Sequence, residues 1–214
     1  MRSIKTAILA LLVVGLMSVP AFADTYQLTQ DLCTGLCNPG ASGTSMGTVD
    51  VVQNGANTVK ITVTLVSPLQ FVNTGIQNTI DFNIIGAPTI SASNFSDSDF
   101  SLVSTTAGTF HFAAFGDFQY SIATSGAQGA GGAQPSPVSF NIVATGLTPG
   151  AFATNGPGAS VFFGVDVYNS VRGTTGPIGT GTSVPEPTSL ITLGIALLGN
   201  GIVVRRFVNR KKQH

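Results

Sequence analysis

The stretch VKITVTL, residues 59–65, decides the fold class of this chain of 214 residues. Its valine, isoleucine and leucine residues alternate with lysine and threonine. Successive side chains of a β-strand point to opposite faces, so this period of two is typical of a strand with one buried face. The pair Asn54-Gly55, a strong turn signal, precedes the stretch. We therefore predict a half-buried strand here.

The same alternation recurs along the chain and predicts about seven short strands separated by Gly, Pro and Asn turns. Gly116-Asp117 is suited to a tight hairpin turn between two of them. The body of the chain shows no apolar pattern with the period of a helix. The strands therefore favour an all-β fold, and we predict a single antiparallel β-sandwich of jelly-roll type at residues 48–171. Fourteen phenylalanines and no tryptophan would fill its core. The further alternating stretches are 80–84, 110–112, 118–122, 138–142 and 161–167.

The body of the chain, residues 24–183, has an acidic composition that the neutral whole-chain charge conceals. It contains Lys60 and Arg172 as its only basic residues against eight aspartates, a net charge of −6, and no glutamate. Binding to nucleic acid needs a basic surface, so we expect no nucleic-acid partner.

Residues 1–23 have the pattern of a secretory signal peptide. Arg2 and Lys5 form a positive start, an apolar run follows, and Ala21 and Ala23 form an A-x-A cleavage site. Signal peptidase is therefore the expected first partner, and the mature chain would begin at Asp24.

Two polar segments flank the predicted sandwich. Residues 24–47 are rich in turn formers, and we interpret them as an irregular N-terminal arm. In an exported protein the single pair Cys33 and Cys37 is expected to form a disulfide. Residues 172–183, RGTTGPIGTGTS, are interpreted as a Gly/Thr-rich linker.

Residues 184–214 fall into three parts. Val184, Pro185, Glu186 and Pro187 form a segment that the two prolines hold extended. The uncharged stretch 188–204 is about 25 Å long as a helix, at the short end for a hydrocarbon core of about 30 Å. A basic end follows, which the positive-inside rule places in the cytoplasm. It consists of Arg205, Arg206, Arg210, Lys211 and Lys212.

This order of a Pro-Glu-Pro motif, a short apolar helix and an Arg-rich end resembles the PEP-CTERM sorting signal of exported bacterial proteins. The resemblance covers about thirty residues and implies processing by an exosortase, a membrane-embedded enzyme similar to cysteine proteases. It implies a precursor held transiently in the membrane with its C-terminus in the cytoplasm, and a mature protein at the cell surface or outside the cell. The alternative is an ordinary C-terminal membrane anchor.

Several small motifs of the body could suggest chemistry, and each has a simpler interpretation. Residues 43–47 match G-x-S-x-G, but no helix is predicted after them, as a nucleophile elbow requires. His111 lacks companions for a zinc site, and Asp97 and Asp99 offer too few oxygens for calcium. The glycines of 126–132 lack the Lys-Ser/Thr of a phosphate loop. We expect no catalytic residue, metal or cofactor.

The function that these patterns favour is an exported, exosortase-sorted structural protein of the cell surface or biofilm matrix, which exopolysaccharide could contact. A secreted carbohydrate-binding sandwich is the alternative, and an exported hydrolase is a third. Sugar platforms use exposed aromatic residues, so the positions of Tyr26, Tyr120 and Tyr168 discriminate the first two.

Overall fold

The alternating stretch lies in strand β3, Thr58–Leu65, as predicted. Val59, Ile61 and Val63 are fully buried, whereas Lys60 and Thr64 are exposed. The computed structural model describes residues 23–33, 35–37, 44–75, 78–112, 115–156 and 160–185, without the side chains of 182–185.

Thirteen other strands accompany β3, and no α-helix occurs among the described residues. Short 3-10 turns lie at Gly129–Gly132 and Pro149–Ala151. The strands are β1 Ala23–Asp31, β2 Gly47–Gln53, β4 Leu69–Phe71, β5 Ile80–Ile84, β6 Ser91–Ser93, β7 Phe100–Leu102, β8 Phe110–Phe112, β9 Gly116–Phe118, β10 Tyr120–Thr124, β11 Val138–Val143, β12 Phe152–Ala153, β13 Phe163–Asn169 and β14 Thr174–Pro185.

The strands form one long antiparallel path, in the order β6-β11-β3-β2-β1-β14-β13-β5-β10-β7. Its end strands, β6 and β7, contact each other, so the sheet is nearly closed on itself. Strand β4 pairs with β13 and β12 pairs with β5, while β8 and β9 form a separate hairpin. The predicted all-β antiparallel fold is confirmed.

The core lies inside this curved sheet and is built largely from aromatic side chains. The Phe82 ring lies 5.6 Å from that of Tyr120, 5.8 Å from Phe152 and 6.0 Å from Phe163, measured between centroids. All four side chains are buried. Aromatic rings bury large apolar areas and pack well at these separations, so they stabilise the interior.

The hairpin of β8 and β9 makes a second, smaller apolar cluster on the outer face of the sheet. Phe112, Phe115 and Phe118 pack there with Val161. The sheet beneath them has glycine where their rings approach: a Cβ at Gly179 would lie 2.7 Å from the Phe115 ring. Small residues in the sheet therefore allow the hairpin to cover part of its outer face.

The interpretation of 172–183 as a linker is wrong, and the interpretation of 24–47 as an irregular arm is wrong for residues 24–31. Strand β1 pairs with β2 and with β14, and β14 lies between β1 and β13 in the middle of the sheet. Leu28, Ile178 and Thr180 are fully buried. The Gly/Thr-rich composition of β14 reflects close packing, because glycine makes room for neighbouring groups at positions such as Gly176, where a Cβ would meet Cys33 at 2.8 Å.

Several predicted features lie outside the described residues. They are the signal peptide up to residue 22 with Ala21, the residues Glu186 and Pro187, the apolar stretch 188–204 and the basic residues 205–212. Within the part of the chain that is described, no helix is long and apolar enough to cross a membrane.

Candidate functional site

The first candidate site is the end of β14, where the sorting segment begins. Val184 and Pro185 are its last residues and pair with Thr25 and Asp24 of β1. They are extended, as the proline spacing predicts, and they continue the sheet directly. Strand β13 pairs with β14 only as far as Gly179, so β1 is the described neighbour of the final residues.

The two cysteines close a short loop at the opposite end of β1. Cys33 and Cys37 lie at disulfide distance, with their sulfurs 1.99 Å apart. The Asp31 carboxylate accepts hydrogen bonds from the backbone N–H of both, at 3.1 and 3.2 Å. The arrangement is that of a structural disulfide and not of a metal site, because bonded sulfurs offer no thiolate to a metal.

His111 and Asp117 form a pair on the surface of the β8–β9 hairpin. His111 Nδ1 lies 2.9 Å from Asp117 Oδ1, and their side chains are 65% and 59% exposed. This is the hydrogen-bonded surface histidine that the sequence favours.

The other small motifs are local turns. The Ser45 hydroxyl donates to the carbonyl oxygen of Gly47 at 2.7 Å, and Gly47 starts a strand, so the helix of a nucleophile elbow does not follow. The backbone N–H of Asp99 donates to the carboxylate of Asp97 at 2.9 Å, which caps that turn. Gly43 lies outside the described residues.

The three tyrosines do not share an exposed face. Tyr26 and Tyr120 belong to the core, at 2% and 0% exposure, and the Tyr120 hydroxyl donates to the carbonyl oxygen of Pro88. Tyr168 alone is partly exposed. The described tyrosines therefore do not build a stacking platform for a sugar.

Two buried aspartates make up the second candidate site, and the sequence analysis did not predict the burial of either. Asp81 of β5 is fully buried, with Ser121 and Gly164 as its cross-strand neighbours. No hydrogen bond of good geometry reaches either carboxylate oxygen. Burial raises the pKa of Asp81 to about 8; the neighbouring Ser121 and Asn78 groups lower that pKa, and the charge of Asp166 raises it.

Asp166 of β13 is only 5% exposed. Its Oδ2 accepts hydrogen bonds from the Thr74 backbone N–H, at 2.7 Å, and from the Thr74 hydroxyl. No hydrogen bond of good geometry reaches its Oδ1. Burial raises the pKa of Asp166 to about 6, and the hydrogen bonds from Thr74 and from the Val167 backbone offset part of that rise.

The sequence pattern predicts the opposite of what the structure shows for this pair. Asp81 and Asp166 occupy the polar positions of alternating strands, IDFNI and FGVDVYN, which predicts exposure to solvent. The β8–β9 hairpin covers this part of the outer face, so the polar positions become buried.

One comparison with known proteins gave a match. A model of the PEP-CTERM protein-sorting motif matches residues 183–210. No curated protein and no solved structure matches the chain. The matched segment begins within the last residues of β14, so the sorting motif follows the sheet without a spacer. The chain is therefore a protein that carries a PEP-CTERM sorting motif, which indicates export and processing by an exosortase.

Proposed function

We propose that the protein is a non-catalytic structural component of the bacterial cell surface or extracellular matrix, delivered there by exosortase processing. The sorting motif at 183–210 supports the route. The acidic, lysine-poor body supports an extracellular setting in which the domain stays soluble without binding nucleic acid.

The observation that carries the proposal is the pairing of Asp24 with Pro185. Adjacent strands in a sheet lie about 4.8 Å apart, so the chain enters and leaves the domain at one point. A precursor with a signal sequence before Asp24 and an apolar segment after Pro187 would be attached to the membrane through two neighbouring segments. The basic residues beyond each segment favour the cytoplasm for both ends.

The polar residues of the domain support a non-catalytic role. His111 and Asp117 pair on an exposed hairpin, and Ser45 is bonded to its own turn. Catalysis by a nucleophile needs its base within hydrogen-bond reach, and these groups are engaged locally. The burial of Tyr26 and Tyr120 removes the support for a sugar-stacking module, so contact with exopolysaccharide is proposed only for the surface as a whole.

Glu186→Ala tests the sorting route in the full chain, expressed in the bacterium that supplies the exosortase. Glu186 is the only charge of the motif, and its removal changes neither the prolines nor the length of the apolar stretch. We expect the variant to insert in the membrane and to accumulate as uncut precursor, as the wild-type protein does in a strain without the exosortase. Immunoblots of membrane and medium fractions measure this.

Asp117→Ala is the matched control, because it also removes one carboxylate but at an exposed position of the β8–β9 hairpin. It should be processed as wild type. If Glu186→Ala is cut and exported at the wild-type rate, the apolar stretch is an ordinary anchor or a differently recognised signal.

A further inference from the structure

The bond that signal peptidase is expected to cut, between Ala23 and Asp24, lies within the folded sheet. Both residues belong to β1, which begins at Ala23. Ala23 pairs with Val52 of β2. Asp24 pairs with Val51 of β2 on one side and with Pro185 of β14 on the other. The expected cleavage point therefore has strands beside it and does not lie in an exposed loop.

A strand enclosed in this way is a poor substrate for a peptidase. A peptide that is bound in an extended conformation pairs its main-chain groups with those of the enzyme, as an added strand pairs with a sheet edge. Neighbouring strands lie about 4.8 Å apart, so the place that the enzyme needs beside Asp24 is occupied on both sides. Cleavage after Ala23 thus requires that the start of β1 leaves the sheet.

The next two residues of β1 hold the strand in place. The Thr25 hydroxyl donates to the Asp50 carboxylate on β2 at 2.7 Å. Tyr26 is buried, and its ring centroid lies 4.8 Å from that of Phe162 and 5.2 Å from that of Phe163. Fraying of the strand end stops at these contacts, because further opening exposes the buried ring to water. The first residue of the mature chain is therefore the only one that frays without disrupting them.

The sorting segment at the end of β14 differs, because one of its edges is free. The backbone N–H groups of Phe162 and Phe163 donate to the Thr180 hydroxyl, both at 3.0 Å, and β13 pairs with β14 only as far as Gly179. Beyond Thr180, β1 is the described neighbour of β14. Residues 183–185, where the matched sorting motif begins, are thus extended and open to a second strand from an enzyme.

We propose that the fold sets the order of the two processing steps. Signal peptidase acts before β1 is enclosed in the sheet, whereas the exosortase acts on the folded domain. The inference rests on the proposed function, which supplies both enzymes. Strand β14 is the last strand of the domain to be synthesised, so Asp24 stays unenclosed until the chain is complete up to Pro185. A precursor that folds before the first cut retains its signal sequence.

The test uses the full-length precursor, purified in detergent with its signal sequence intact, and purified signal peptidase. The reference is a chain truncated after Gly173, which lacks β14 and cannot enclose Asp24. We expect the folded precursor to be cut after Ala23 at least about tenfold more slowly than the reference, because cleavage follows the population of the open strand.

An insert of about six Gly and Ser residues between Asp24 and Thr25 should raise the rate for the folded precursor to that of the reference. It keeps the cleavage sequence and moves it up to roughly 20 Å away from the sheet. The same insert between Thr106 and Ala107, in an exposed loop, is the matched control and should leave cleavage slow. Far-UV circular dichroism verifies that the full-length variants are folded.

A third insert variant tests the exosortase step, with membranes that contain the enzyme. The same Gly and Ser residues between Thr180 and Gly181 move the sorting motif away from the sheet. We expect the folded precursor to be cut in the motif at the same rate with and without this insert, because the edge of β14 is already open.

Equal rates of cleavage after Ala23 in the folded wild type and in the variant with the insert after Asp24 would overturn the proposal, since the sheet would then not protect the bond. A faster exosortase cut in the variant with the insert after Thr180 would overturn the second step. If the truncated reference is not cut after Ala23 either, residues 1–23 are not a signal peptide. In that case the export route of the proposed function fails, and this inference fails with it.

Discussion

Asp24 and Pro185 are cross-strand partners at one end of β1 and β14. Asp24 is the first residue expected after signal-peptide cleavage, and Pro185 is the first proline of the sorting motif. The two expected processing points therefore lie side by side, at the end of the domain opposite the cysteine loop. Processing at either point would occur at the border of the sheet.

The first prediction concerns the ends of the mature protein. Mass spectrometry of the exported form should find Asp24 at the N-terminus and a C-terminus at or beyond Pro185. A cut upstream of Thr180 would remove part of a central strand that buries Ile178 and Thr180 completely. A folded mature protein that ends before Thr180 would show that the domain does not need the second half of β14 to fold.

The second prediction is that stability falls as pH rises. Burial raises the pKa of Asp81 from 3.8 to about 8 and that of Asp166 to about 6. Between the ordinary and the raised pKa the folded state holds a proton that the unfolded state has lost, so raising the pH destabilises the fold. Thermal unfolding should show a lower Tm at about pH 8 than at about pH 5.

Asp81→Asn should remove most of this dependence above about pH 6, because an amide stays neutral throughout. The exposed Asp117→Asn should keep the wild-type dependence. A Tm that rises from about pH 5 to about pH 8 in wild type, or an unchanged slope in Asp81→Asn, would show that Asp81 ionises normally in the fold.

The third prediction tests the contact between the hairpin and the sheet. In Gly179→Ala the new Cβ would lie 2.7 Å from the Phe115 ring and 2.9 Å from Val161. We expect a loss of about 1–3 kcal/mol, the range for overpacked cores. Gly150→Ala is the control, since a Cβ there meets nothing within 4 Å. Equal Tm values for the two variants would mean that the hairpin does not pack on Gly179.

The fourth prediction concerns the cysteine loop. The exported protein should show no free thiol when it is denatured without reductant. Replacing both Cys33 and Cys37 by serine should destabilise the protein by less than the ~3 kcal/mol expected for a loop of 15 residues, because this loop is shorter. Denaturant unfolding measures the difference. A larger loss would mean that the loop also holds β1 and β14 in place.

The sequence alone determined where most of the core strands lie. In β3, β11 and β13 the apolar residues alternate with polar ones, and alternation follows directly from the geometry of an extended chain. The sorting motif was also visible, because its three parts are contiguous and each depends on local composition. Local patterns of this kind need no knowledge of the fold.

Strands β1 and β14 were decided by tertiary structure. The glycines and threonines of β14 carry no clear alternation, because Cys33, Phe115 and other groups from distant segments occupy the space beside Gly176 and Gly179. In β1 only Tyr26 and Leu28 alternate with polar residues, a run too short to predict a strand within a polar segment. A strand whose glycines make room for closely packed neighbours has the same composition as a flexible Gly-rich linker, so the sequence alone does not distinguish the two.

The burial of Asp81 and Asp166 was decided in the same way. Alternation places both on the outer face of the sheet, and it contains no information about what covers that face. The β8–β9 hairpin covers it through Phe112, whose ring would lie 3.1 Å from a Cβ at Gly164. Periodicity determines the direction of a side chain, whereas only the packing of distant segments determines whether that direction leads to water.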